Sequence, residues 1–118
     1  MRPRAAAIAE AGLQALVCDV WAIPAPHAKR LRHALRSAPC ARAQVLRQQL
    51  ALVGITDLDA AFRGVITPAF LMALLNDLGA VGALTLGDIH LIEDCILRCV
   101  DKDGDWLSYH TYKERNVS

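Results

Sequence analysis

Leu13, Leu16, Val17, Val20 and Trp21 recur at i, i+3, i+4, i+7 and i+8, the apolar stripe of an amphipathic helix. The prolines of Ile23-Pro-Ala-Pro26 stop it, because each removes a backbone donor and restricts the residue before it. Leu31, Ala34, Leu35 and Ala38 mark a second helix, with Lys29, Arg32 and Arg36 on another face and Pro39 at its end. A third is predicted from Ala41 to Val53 on Val45, Leu46, Leu50 and Val53, closing at Gly54. Thr67-Pro68 reads as an N-cap followed by proline at the first helical position, and Phe70, Leu71, Leu74, Leu75 and Leu78 carry that helix to Gly79. Thr85 and Asp88 have capping-box spacing at the head of a last long helix, whose stripe runs through Ile89, Ile92, Ile96, Cys99 and Val100.

The predicted class is therefore all-α. Three β-prone stretches interrupt it: VWAIP (20–24), GVITP (64–68) and DWLSY (105–109). Their central aliphatics, Ile23, Ile66 and Leu107, repeat at about 42 residues, a period that points to repeated helix–loop–helix units. The expected fold is mostly helical, with short loop-pairing strands.

With 118 residues the chain is expected to form one helical domain. Charge divides it in two. Residues 1–50 carry eight bases against Glu10 and Asp19; residues 51–118 carry ten acids against five bases, and the net is +1. The basic helices of 1–50 either complement the acidic half internally or present a face to an anionic partner. Without aromatics between the arginines of 29–47, nucleic-acid binding is the weaker expectation. Cys18, Cys40, Cys95 and Cys99 lack the paired spacing of a zinc site, and Cys95 and Cys99 fit as buried thiols.

No segment reaches the roughly 18 uncharged apolar residues of a membrane span. Glu10 breaks the apolar run behind Arg2 and Arg4, against a secretory signal. The expected location is cytoplasmic, with a mitochondrial presequence as the alternative on those two arginines. No nucleophile–base–orienter array or phosphate-cradling glycine loop is present, so the expectation is a non-enzyme. The four histidines have no H-x-x-x-H spacing, and His90 reads as a packed or half-exposed residue.

The chemistry that stands out is DKDGD (101–105). Asp101, Asp103 and Asp105 alternate at the end of a helix, as in the first half of a calcium loop. With this loop, VITPAFLMALLNDLGAVGALTLGDIHLIEDCILRCVDKDGDWLSYHTYKE (65–114) resembles a pair of EF-hands of the calmodulin and myosin-light-chain type. The resemblance covers about residues 50–115; residues 1–50 join it as a further, highly degenerate unit through the 42-residue repeat alone. It implies helix–loop–helix architecture and Ca2+ ligation by Asp101, Asp103, Asp105 and Ser108. It also implies an apolar groove of Phe70, Leu71, Leu74, Leu75, Ile89, Ile92 and Ile96 that clasps an amphipathic helix of a larger protein.

Departures from the family qualify the metal. Trp106 stands where the loop needs glycine, and the closing glutamate position falls on Thr111 or Tyr112, with Glu114 the nearest carboxylate. In the earlier loop, starting at Asp59 and bending at Gly64, Ala61 and Arg63 replace two ligands, so it is expected to be metal-free. The function implied is a light-chain-like interaction module that is largely calcium-independent. The alternatives are a weak calcium-binding regulator using 101–105 and a basic helical protein associated with nucleic acid.

Overall fold

The computed structural model describes residues 3–53 and 66–107. Five α-helices account for most of them: α1 (Pro3–Gln14), α2 (Ala25–Ser37), α3 (Ala41–Val53), α4 (Pro68–Ala80) and α5 (Leu86–Leu97). The helical expectation is met at this level. Among the described residues the paired loop strands are not seen. Val20 belongs to a helical turn, residues 21–24 form a bend, and the β pairing present is one antiparallel bridge from Val100 to Trp106, inside a single loop. Residues 64, 65, 108 and 109 of the β-prone stretches lie outside the described residues, as does the Asp59–Gly64 loop.

The stripe from Leu13 to Trp21 faces the core as expected, but not as one α-helix. After Gln14 the backbone widens into a π-helical stretch, Ala15–Val20, ended by Trp21 N–H donating to the Leu16 carbonyl at 2.9 Å. Leu13, Leu16, Val17 and Trp21 are buried, while Cys18 and Asp19 stay outside. The chain then turns sharply through Ala22, an exposed residue with φ at +51°, which returns Ile23 to the core. A Cβ in this left-handed region is strained. Ala22→Gly removes that strain and no packing, and is expected to stabilise the fold by about 0.5–1 kcal/mol despite the freer unfolded chain. Calorimetry should show a melting temperature higher by a few degrees; a lower one would sink the strain argument.

Helices α1 and α3 make the most intimate pair. Gly12 allows it, since a Cβ there would come within 3.2 Å of Leu50. Arg47, on α3, donates to the Leu35 and Ala38 carbonyls, satisfying the open C-terminal end of α2 with a cation. Helices α4 and α5 begin as their sequence signals require. Thr67 Oγ1 accepts from Phe70 N–H at 3.0 Å, and Thr85 and Asp88 close a reciprocal capping box.

Buried side chains from every helix, running from Ala9 to Cys99, form one hydrophobic cluster. Two polar ties reinforce the join between the basic and acidic halves: Arg42 to Asp77 at 2.7 Å, and His27 with Arg30 to Asp88. Part of the charge asymmetry is thus internally complementary.

Candidate functional site

The aspartate loop hangs from the end of α5 through two turns. Asp101 Oδ1 accepts from the backbone N–H groups of Asp103, at 2.9 Å, and Asp105, at 3.1 Å. Asp101 N–H donates to the Asp105 carbonyl at 2.7 Å, and Gly104, with φ at +85°, supplies the left-handed residue the curl needs. Beyond it, Leu107 N–H donates back to the Cys99 carbonyl at 2.9 Å. The loop therefore holds its bend with its own amides, and one oxygen of its first carboxylate is committed to them. Asp101 is half-buried; Asp103 and Asp105 face solvent.

A cation needs several oxygens converging on one point. Among the described residues no group of three His, Cys, Asp or Glu side chains is placed to hold one. Ser108, Thr111, Tyr112 and Glu114, which would have to complete the set, lie outside the described residues.

Trp106, where the resemblance would put glycine, makes a contact of its own. It is half-buried against the core, and its indole Nε1–H donates to the Ile66 carbonyl at 2.6 Å. Ile66 is fully buried and precedes the Thr67 cap of α4. One side chain thus ties the acidic loop after α5 to the entry of α4, a long-range link that the residue types alone do not reveal.

The groove residues come together, but as core. Leu71, Leu74 and Leu75 of α4 and Ile89, Ile92 and Ile96 of α5 are all buried. Phe70 is the partly exposed member of the set, packed against the same cluster. Contact of the other six with a partner requires the two helices to part.

A second cluster escaped the sequence reading in its full form. Asp88 was visible as a capping residue; its distant partners were not. The carboxylate is 1% exposed and sits 2.7 Å from His27 Nδ1, with Arg30 gripping both oxygens through Nε at 3.0 Å and Nη2 at 2.7 Å. Because an ionised carboxylate only accepts, the His27 proton in this contact is on Nδ1. The Arg30 guanidinium holds the Asp88 carboxyl far below the usual carboxylate range against the opposing pull of burial, aided by His27 and the Thr85 amide and hydroxyl. Reciprocally, the carboxylate raises the Arg30 pKa. Both Asp88 oxygens are thus satisfied by His27, Arg30 and Thr85, the pattern of a structural clasp between α2 and α5.

Cys95 and Cys99 are buried, as their helical spacing suggested, while Cys18 is exposed and Cys40 half-buried; Cys99 Sγ lies 3.7 Å from the Val20 carbonyl. His90 is exposed on α5. Among the described residues no helix is long and apolar enough to cross a membrane. No protein-family model, curated protein or solved structure matches this chain, so its functional reading rests on its own residues.

Proposed function

We propose that the chain is a non-catalytic, EF-hand-like interaction module of the light-chain kind, whose α4–α5 half holds an amphipathic helix of a larger protein without needing calcium. The observation that carries this reading is the Trp106–Ile66 hydrogen bond, an intramolecular tie that joins the loop after α5 to the entry of α4 without an ion. The self-closed Asp101 turn adds to it, since the loop's shape needs no cation. In a calcium sensor the ion supplies that order and shifts helix packing when it binds. Here the order is part of the resting fold, so binding is constitutive. Because most candidate contacts are core residues, the partner helix binds a fraction of molecules in which α4 and α5 have separated, and its apparent affinity is lowered by that fraction.

A calcium-responsive version of the same module is favoured by one feature, the pre-curled acidic loop with Gly104 in the left-handed region. Calorimetry separates the two. Calcium alone, up to millimolar, is expected to give no heat, identically for the natural chain and Asp103→Ala. A basic amphipathic helical peptide is expected to bind with affinities in EDTA and in calcium that agree within about twofold, since a ligand without preference shifts no equilibrium. Failure to bind the peptide in either buffer removes the module reading. Calcium heat that Asp103→Ala abolishes would transfer it to the sensor.

A further inference from the structure

The outward face of α2 is basic and only partly neutralised. Leu31, Ala34 and Leu35 point into the core, and Lys29, His33 and Arg36 project from the opposite side at i, i+4 and i+7. Arg30, on the flank toward α5, is already consumed by Asp88. Arg32, on the flank toward α1, is not. Among the described residues its Nε is buried without a hydrogen-bond partner, and its Nη1 makes one long contact, 3.4 Å to Gln14 Oε1. A guanidinium fork is strongest when two of its N–H groups meet the two oxygens of one carboxylate. So little holds Arg32 that swinging outward to meet such a group restores an acceptor to Nε at small cost. Arg36 has Glu10 at 3.6 Å, an exposed pair that an incoming carboxylate displaces readily.

We infer that the outer face of α2 docks an acidic segment of a partner protein, with Arg32 taking a carboxylate through its fork and Lys29, His33 and Arg36 lining the approach. This surface is separate from the α4–α5 contacts and serves a partner segment of the opposite charge. Carboxylates fit it better than a nucleic-acid backbone for three reasons. The stripe from Lys29 to Arg36 is only about 10 Å long. It offers no Phe, Tyr or Trp, the larger rings on which a base stacks most strongly. The chain's net charge of +1 leaves an extended polyanion facing the acidic half once it runs past α2.

The test is a fluorescence-anisotropy titration of the full chain with a fluorescein-labelled glutamate-rich peptide at low ionic strength. Binding that weakens as salt rises is expected. Arg32→Gln should weaken it about tenfold, and Arg32→Lys nearly as much, because lysine keeps the charge and loses the fork. Lys102→Gln, in the acidic loop, should leave it unchanged. Circular dichroism establishes that each variant is folded; should the Arg32 variants not fold, the Lys29→Gln/Arg36→Gln variant carries the test, with a comparable loss expected. Absence of peptide binding overturns the inference. So does an equal loss from Lys102→Gln, or a single-stranded oligonucleotide of matched charge that displaces the peptide better than unlabelled peptide does.

Discussion

Asp88→Ala is expected to destabilise the fold by about 2–4 kcal/mol and to lower the melting temperature by roughly 10 °C. Two losses combine. The capping box at the head of α5 disappears, leaving the amide of Thr85 without its acceptor. Arg30 and His27 lose the carboxylate that compensates their partial burial. Since both partners retain access to water, their loss lies toward the lower end of the range for broken buried pairs. Asp88→Asn keeps the shape and part of the cap, so its cost should be about half as large. The two effects separate by pH. The Asp88 carboxyl is depressed in the folded protein, so its contribution is fully present above the unfolded value of about 3.9 and is lost as pH falls from there toward the folded value. The stability gap between the natural chain and Asp88→Asn should therefore be constant from neutrality to about pH 5 and narrow below about pH 4. Urea titrations across that range check it; a gap that persists undiminished at lower pH would show that the carboxylate charge is not what holds α2 to α5.

That clasp also shows which features are legible in a sequence. Thr85 and Asp88 are three residues apart, so the cap could be read from local chemistry; His27 and Arg30 lie 61 and 58 residues away, and nothing in their own neighbourhood announces the match. The bounds of α3 and the starts of α4 and α5 were legible for the same reason, each being written in adjacent prolines, threonines and apolar spacing. The π-helical stretch was not. An apolar stripe records which residues face inward, and Leu13, Leu16, Val17 and Trp21 face inward whether the turn is closed at i+4 or at i+5. Trp106 illustrates the limit for the candidate site. The EF-hand resemblance would put glycine at its position, but only folding brings its indole to the Ile66 carbonyl 40 residues away. For Asp101, Asp103 and Asp105 the ligand types were visible; whether they converge depends on backbone geometry, and the amides of the same loop compete for the first of them.

The same tension between pattern and packing governs the α4–α5 contacts, and Leu74→Ala with Phe70→Ala resolves it. Leu74 is fully enclosed, so its truncation should cost about 3 kcal/mol through lost apolar burial and the cavity left behind. Phe70, half-exposed at the edge of the cluster, should cost only about 1 kcal/mol. Peptide binding should respond in the opposite order, with Phe70→Ala lowering the affinity more than Leu74→Ala once both are measured where each variant is folded. Leu74→Ala loosens the α4–α5 core and so raises the fraction of molecules able to open, which offsets part of any contact it loses. Phe70→Ala removes a contact already at the surface and has no such compensation. Thermal melts and peptide calorimetry on the two variants together decide the matter. A Leu74→Ala protein of unchanged stability that no longer binds would mean that Leu74 serves a preformed groove, and that helix separation is no part of binding.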